Sequence, residues 1–219
     1  MKSGPIPDQS ERHPTRLRYR HAHRLSGRRA YALVFREGRR FYGRGLVVVA
    51  RANGLDIRSV GSGNPGASNI ARVLGWKRGV WVFVLDAAKG ALAAGLGLIV
   101  DGRPAGYWLG AAAIVGHVFP VWHRFRGGKG IATGGGVFAV LSPLVIAVLA
   151  VLWLTIWKLS KKASLASIVG AVLLPIGVGI VRQELWEVLA TAALSLLTLV
   201  RHLGNIKRLA TRKEHALSS

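Results

Sequence analysis

Two glycine-rich segments of this sequence carry the polar and basic side chains that phosphate groups bind. The first is GSGNPGASN, from Gly61 to Asn69, and the second is FRGGKG, at 125–130. Glycine lets backbone N–H groups converge on an anion, and a basic residue beside a helix start adds fixed charge. The second is not a nucleotide P-loop, because Gly130 stands where that motif needs Ser or Thr. We expect two anion sites, although an ordinary polar turn explains the first segment equally well.

Further polar side chains lie inside or just after apolar segments. Asp86 and Lys89 are three residues apart and therefore share a helix face. They are either a self-neutralising pair or functional, which is the usual interpretation of charges inside a membrane. His117 ends one apolar segment and His202 follows the last one. Imidazole titrates near physiological pH, so both histidines are candidates for proton transfer.

The composition indicates a membrane protein with basic loops. Of 219 residues, 51% are hydrophobic, yet the formal net charge is +22. Such an excess of lysine and arginine in a chain with long apolar runs marks cytoplasmic loops and anionic ligands more often than nucleic acid. No aromatic and basic motif for nucleic acid accompanies the charge, so we expect no nucleic-acid partner. The absence of cysteine excludes disulfides, thiolate metal sites and a cysteine nucleophile.

Six apolar segments follow residue 79 and predict an all-α, polytopic membrane helix bundle. They are Gly79–Val100, Pro104–Val121, Ile131–Leu141, Pro143–Trp157, Ser164–Val181 and Leu185–Val200. The third and fourth are continuous, and Pro143 makes a break between them plausible. With that break every strongly basic loop falls on one side of the membrane, as the positive-inside rule requires for the cytoplasmic side. Without it the asymmetry is lost, so we predict two short helices there.

Five strings of the sequence resemble the successive motifs of the PlsY-type glycerol-3-phosphate acyltransferases, in the order and spacing of that family. Any one of them is modest evidence, whereas five in order are strong, and together they cover about residues 45–214. They are GSGNPGASNIAR (61–72), LDAAKG (85–90), GHVFPVWHRFRGGKGIAT (116–133), SLAS (164–167) and RHLGNIKRL (201–209).

The resemblance implies a seven-helix enzyme of the bacterial cytoplasmic (inner) membrane with its active-site loops facing the cytoplasm. It would transfer a fatty acyl group from acyl phosphate to the 1-hydroxyl of sn-glycerol 3-phosphate, giving lysophosphatidic acid in phospholipid biosynthesis. Acyl phosphate is a mixed anhydride already activated for transfer, so we expect neither a metal nor a cofactor. Besides the two substrates and the lipid bilayer, the enzyme that forms acyl phosphate is a candidate partner.

The predicted site residues come from the two glycine-rich segments and the helix ends around them. The first segment would hold one phosphate and the second the other, in an order the sequence leaves open, with Lys89 as an electrostatic stabiliser and the base unassigned. The catalytic candidates are Ser62, Lys89, His117, Lys129 and His202. The substrate-binding candidates are Gly61, Gly63, Asn64, Gly66, Asn69, Arg72, Arg126, Gly127, Gly128, Gly130, Thr133, Arg201, Asn205 and Arg208.

The sequence departs from the family pattern at both ends. Residues 1–44 hold 12 lysines or arginines against 3 acidic residues, where the family has a membrane helix. We expect this segment to be disordered or to result from an incorrect start or reading frame; a basic tail that binds anionic headgroups is the alternative. The membrane acyltransferase domain would span residues 45–215, ahead of a tail at 216–219. Arg212 and Lys213 replace a usual Gly-Thr pair, which weakens the role of Glu214.

Two other functions compete with this interpretation. No histidine here has aspartate five positions later, so the HxxxxD signature of acyl-CoA-dependent acyltransferases is absent. A transporter or channel for a small anion could use glycine-rich loops as re-entrant gates. No inverted repeat is visible, and a transporter would show no turnover without two compartments.

Overall fold

The computed structural model describes residues 57–217, together with the backbone of residues 39–43 and 46–50. The chain divides into two compact units, Met1–Asp56 and Ile57–Ser219. In the first unit, strands β1 (Arg39–Gly43) and β2 (Leu46–Ala50) form an antiparallel hairpin in which Arg39 pairs with Ala50 and Gly43 with Leu46. The remaining residues of the predicted N-terminal segment lie outside the described residues.

The second unit is helical. A short 3-10 turn, Ile57–Ser59, precedes α1 (Ala67–Leu74), and another, Val121–His123, follows α2 (Trp76–Val118). The remaining helices are α3 (Ile131–Leu141), α4 (Pro143–Ser160), α5 (Ala163–Arg182), α6 (Leu185–Arg201) and α7 (Leu203–Ala210). The predicted all-α membrane bundle is confirmed for this unit.

Helix α2 is a hairpin of two apolar arms. Asp101 and Gly102 have non-helical dihedral angles, and Gly102 has a φ of 64° that favours glycine. The arms fold back on each other and pack closely. At Gly97 there is no room for a side chain, since a Cβ built there would lie 2.4 Å from the carbonyl oxygen of Ala105. They correspond to the first two predicted segments.

The predicted break between the third and fourth segments is present. Ser142 separates α3 from α4 with φ −148° and ψ 67°, and Pro143 is the first residue of α4, where its missing N–H costs no hydrogen bond. Among the described residues, three stretches are long and apolar enough to cross a membrane: Trp76–His123, Pro143–Ser160 and Ala163–Arg182. The pair α6 and α7, bent by 58°, could form a fourth, and α3 is shorter.

Small residues bring α3 against the first arm of α2. A Cβ on Gly136 would lie 1.9 Å from the carbonyl oxygen of Ala87, and one on Gly90 would lie 2.1 Å from that of Thr133. Such close backbone approach is typical of helix pairs in membranes, where packing replaces the hydrophobic effect. A core that includes Tyr107, Val137 and Phe138 lies beside this contact. Many large apolar side chains point outward, as a lipid-facing surface requires.

A buried ion pair joins the helices at the end of the bundle near the α2 turn. Arg103 donates two hydrogen bonds of 2.6 Å to the carboxylate of Glu187 and a third, of 3.0 Å, to the carbonyl of Leu141. Tyr107 donates to the same carboxylate at 3.1 Å, and Arg182 lies 3.3 Å from it. These bonds link α2, α3, α5 and α6 and pair charges that would otherwise be costly inside a membrane.

Candidate active site

The first glycine loop (Gly61–Asn69) is held by the side chain of Asn69. This side chain is 1% exposed. Its Oδ1 accepts a hydrogen bond from the Ser62 N–H at 2.8 Å, and its Nδ2 donates to the carbonyls of Ile57 and Val60 at 3.3 and 3.1 Å. Gly61 has a φ of 62° and leaves no room for a Cβ, which would lie 2.3 Å from that Oδ1. Asn69 therefore organises the loop with both of its polar atoms.

The second glycine loop (Gly127–Gly130) is pinned to the end of α2. The N–H groups of Gly127 and Gly128 donate to the carbonyls of Val118 and His117 at 3.1 and 3.2 Å. Because these amides bond to protein carbonyls, they are occupied, and the charge that the loop offers to an anion is the ammonium of Lys129.

A chain of hydrogen bonds surrounds that ammonium. Lys129 donates to Oδ1 of Asn205, whose Nδ2 donates to Glu214 at 2.7 Å. Ser164 and Arg208 donate to the same carboxylate, each at 3.0 Å. Glu214 thus joins α5, α7 and the tail, although its neighbours Arg212 and Lys213 had made it a weak candidate from the sequence.

Burial and neighbouring charges lower the pKa of Lys129. Burial lowers the pKa of Lys129 from 10.5 to about 8, because the charged form loses water. Glu214 opposes that shift, whereas Arg208, Arg72 and Arg201 add to it. Burial also lowers the pKa of Arg72, whose Nε donates to the carbonyl of Ala216 at 3.0 Å. The site therefore gathers positive charge that a bound anion would neutralise.

The two candidate histidines have different hydrogen-bond partners. Nδ1 of His202 lies 2.8 Å from the carbonyl oxygen of Thr198 and must donate to it, which leaves Nε2 as an acceptor in the neutral ring. Nδ1 of His117 lies 2.7 Å from the ammonium of Lys89, which can only donate, so this ring carries its proton on Nε2. Of the two, His202 has the lone pair that a general base needs.

These groups line a large cavity of about 710 Å³ with a polar end and a long apolar wall. Phe83, Leu149, Trp153 and Trp157 form part of the apolar wall. Ten of the predicted residues line this large cavity, most of them at its polar end: Ser62, Asn64, Gly66, Asn69, Arg72, His117, Lys129, Gly130, His202 and Asn205. A ligand with an anionic head and a long hydrocarbon chain matches this shape and polarity.

The other predicted residues lie elsewhere. Lys89, Gly127 and Gly128 line a small cavity of about 390 Å³, which shares Asp86 and His117 with the large one. The remaining six lie outside both cavities: Gly61, Gly63, Arg126, Thr133, Arg201 and Arg208.

The exposure and contacts of three residues in this last group show why they line neither cavity. Arg126 is exposed, and Thr133 is fully buried with a hydroxyl that has no hydrogen-bond partner among the described residues. Arg201 donates to the carbonyl of Gly127 at 3.3 Å and lies over the ring of Phe119. Arg201 therefore supports the second glycine loop from the side of α6.

Comparisons with known proteins agree with this architecture. The model of the family described as Glycerol-3-phosphate acyltransferase matches residues 44–212. A glycerol-3-phosphate acyltransferase of Bacillus cereus (strain G9842) is 40% identical over 171 residues, which is 77% of this chain and 85% of that protein. One from Anaeromyxobacter dehalogenans (strain 2CP-1 / ATCC BAA-258) is 42% identical over 179 residues, covering 78% and 88%.

Solved structures show the same fold. The crystal structure of PlsY (YgiH), an integral membrane glycerol 3-phosphate acyltransferase, in its glycerol 3-phosphate form has a TM-score of 0.72 and 36% identity, covering 75% of this chain and 84% of that one. Its lysophosphatidic acid form has a TM-score of 0.68 at the same identity, covering 71% and 80%. The resemblance that the five motifs carry is thereby confirmed, and the chain belongs to the family of integral membrane glycerol-3-phosphate acyltransferases.

Proposed function

We propose that the protein transfers a fatty acyl group from acyl phosphate to the 1-hydroxyl of glycerol 3-phosphate, releasing lysophosphatidic acid and phosphate. The observation that carries this proposal is the large cavity, whose cationic end, with Lys129 and Arg72, is continuous with an apolar wall that includes Trp153 and Phe83. Such a cavity suits a donor with an anionic head and a hydrocarbon chain. A polar co-substrate would meet the donor at the cationic end.

The reaction needs positioning and charge more than covalent catalysis. The 1-hydroxyl oxygen attacks the acyl carbonyl carbon, the bond from that carbon to the phosphate oxygen breaks, and the electron pair leaves with the phosphate. Two phosphate-bearing anions repel each other, so fixed cations and neutral donors that hold both lower the barrier. Lys129 and Arg72 supply charge, and Ser62 and Asn64 supply neutral donors on the facing loop.

The hydroxyl proton must move to a basic atom as the ester forms. Nε2 of His202 fits this role, because its Nδ1 is committed to the carbonyl of Thr198 and its ring lines the large cavity. An oxygen of the departing phosphate is the other acceptor, and in that case His202 only orients the substrates. The two alternatives predict different losses for His202→Asn: about 100-fold or more for a general base, and far less for an orienting group.

The basic loops support an orientation in which the polar end of the large cavity faces the cytoplasm of a bacterial inner membrane. Both glycine loops, Lys161 and Lys162 after α4, and Arg208 in α7 would then lie on the side that the positive-inside rule assigns to the cytoplasm. Acyl phosphate is amphipathic and hydrolyses in water, so the enzyme that makes it would deliver it at this face.

The decisive experiment is an assay of purified protein in detergent with acyl phosphate and glycerol 3-phosphate. We expect lysophosphatidic acid and phosphate in equal amounts, and no product when acyl-CoA replaces acyl phosphate. Lys129→Ala and Asn64→Ala should each lower the rate at least tenfold, since a lost hydrogen bond to a charged group costs about 1.5 to 3 kcal/mol. Product from acyl-CoA alone would refute the assigned donor. Absence of turnover in detergent with anion uptake into vesicles would favour the transporter.

A further inference from the structure

Asp86, Lys89 and His117 form a compact ionic cluster inside the α2 hairpin. The ammonium of Lys89 lies 2.6 Å from Oδ1 of Asp86 and 2.7 Å from Nδ1 of His117. The same Oδ1 lies 3.4 Å from Nδ1 of His117, and the side chains of Asp86 and His117 are 16% and 11% exposed. The side chain of Lys89 is 43% exposed, whereas those of Asp86 and His117 are mostly buried, and burying a carboxylate in an apolar hairpin is costly unless it is paired. The two arms already pack closely at small residues elsewhere, so the cluster is not needed to join them.

The ring of His117 packs directly against the second glycine loop. A Cβ built on Gly128 would lie 2.0 Å from Nε2 of His117, and one on Gly127 would lie 2.0 Å from the His117 carbonyl oxygen. The same carbonyl accepts the Gly128 N–H at 3.2 Å. His117 therefore restrains two successive residues through its side chain and its main chain, and the next residue is Lys129.

The cluster fixes the ring of His117 from its opposite edge. Lys89 donates to Nδ1 and is itself held by Asp86, so a rotation of the ring would break the bond from Lys89 to Nδ1. Glycine residues supply no rotameric preference and little backbone stiffness of their own. The loop thus takes its conformation from its neighbours: His117 on one side and, through Arg201, α6 on the other.

We infer that Asp86, Lys89 and His117 are positioning residues, which hold Gly127 and Gly128 so that the ammonium of Lys129 lies at the polar end of the large cavity. This inference deepens the proposed function, because it depends on Lys129 as the group that meets a substrate phosphate. It changes the expectation that Lys89 and His117 act on the substrate themselves. Both would act through the loop instead.

Several charged and titratable groups surround Lys129, and together with its burial they set its pKa. Asn205 accepts its hydrogen bond, Glu214 attracts it, and the other groups are cationic or imidazole. From the remaining elements these are Arg72 on α1, Arg201 on α6, His202 between α6 and α7, and Arg208 on α7. Loosening the loop would let water reach the ammonium and would raise the pKa of Lys129 from about 8 towards its ordinary value.

The test is the pH dependence of the Lys129 amine in Asp86→Asn and Lys89→Met. The first removes the negative charge of Asp86 and leaves Lys89 unbalanced, and the second removes the donor to His117, each at nearly constant shape. The rate of acyl transfer and the rate at which an amine-reactive reagent labels Lys129, followed by mass spectrometry, are measured across the alkaline range. We expect both variants to lose about tenfold in rate at neutral pH. The midpoint of the alkaline fall and of the labelling curve should move up by about one pH unit.

Tyr107→Phe is the matched control. It lies on the same hairpin but removes a hydroxyl that bonds to Glu187 at the other end of the bundle. We expect this variant to unfold at a lower temperature while keeping the wild-type Lys129 midpoint.

An unchanged Lys129 midpoint in Asp86→Asn and Lys89→Met would overturn the inference. If, in addition, the acyl-transfer rate of these two variants fell only in proportion to their folded fraction, the cluster would have a purely structural role. Absence of acyl transfer by the unmodified protein would instead defeat the proposed function, and the labelling curve would still decide whether the cluster positions Lys129.

Discussion

Gly170 in α5 offers a way to shorten the large cavity without disturbing the fold. It lines the apolar part of that cavity, and a Cβ built on it would meet no atom of the described residues within 4 Å. A leucine there would therefore extend into the cavity. Since glycine costs a helix about 1 kcal/mol relative to a good helix former, Gly170→Leu should not lower the stability of α5.

The size of the effect follows from the position of Gly170 along α5. Ser164 marks the polar end, because it donates to Glu214 at 3.0 Å. Gly170 follows six residues later, which is about 9 Å along a helix. A leucine side chain there displaces about four methylene groups of a long acyl chain. At about 0.8 kcal/mol per buried methylene the loss is about 3 kcal/mol, or roughly a hundredfold in kcat/KM.

The assay compares acyl phosphates of increasing chain length. Donors too short to reach past the first 9 Å or so of apolar wall should be used as well by Gly170→Leu as by the unmodified protein, and longer donors should lose the full factor. Gly95→Leu is the control. Gly95 lies on the first arm of α2 and outside both cavities, and within the described part of the chain its Cβ would also meet no atom closer than 4 Å. Equal losses for short and long donors, or an equal loss in Gly95→Leu, would refute the assignment of this wall to the acyl chain.

Three further predictions test other parts of the structure. The pKa of Lys129 is about 8, and in the proposed reaction its protonated form binds phosphate, so the rate should fall as pH rises through that value, by about tenfold from pH 7 to pH 9. Lys129→Arg should abolish this fall in a pH–rate profile, as a guanidinium stays charged throughout. Glu187→Gln should lower the free energy of unfolding by about 3 kcal/mol in thermal or denaturant unfolding, since it leaves Arg103 without its carboxylate. Cysteine labels at Lys161 and Gly102 should react from opposite sides of the membrane, and labelling of Lys161 from outside would contradict the orientation argued from charge.

The helices could be predicted from the sequence because the signals for them are local. Apolar runs mark each helix, and Pro143 ends α3 through its own missing N–H and the crowding it imposes on the preceding turn. The position of basic residues then decided between one helix and two. At the α2 turn, Asp101 and Gly102 interrupt the apolar run where the chain reverses.

Contacts between distant residues could not be predicted in the same way. Glu187 bonds to Arg103 across 84 positions of the chain, and no periodicity encodes that pairing. Glu214 was discounted because of its two basic neighbours, yet its partners Ser164, Asn205 and Arg208 come from two helices. Local composition describes the surroundings of a side chain poorly when its partners come from other elements.

The predicted site residues divide by what their polar atoms already bind. Asn69 and His117 have the chemistry of ligands, but the amide of Asn69 is occupied by the backbone of Val60 and Ser62. His117 is held between Lys89 and the second glycine loop. Glycine gives a loop room for an anion at the cost of stiffness, so a phosphate site built from glycine needs side chains nearby that restrain the main chain. In this chain both kinds of residue fall in the same motifs, so the sequence alone does not separate them. All four residues line the large cavity, but the amide of Asn69 and Nδ1 of His117 are bound within the protein. Lys129 and His202 keep the polar atoms that would meet a substrate in the proposed reaction.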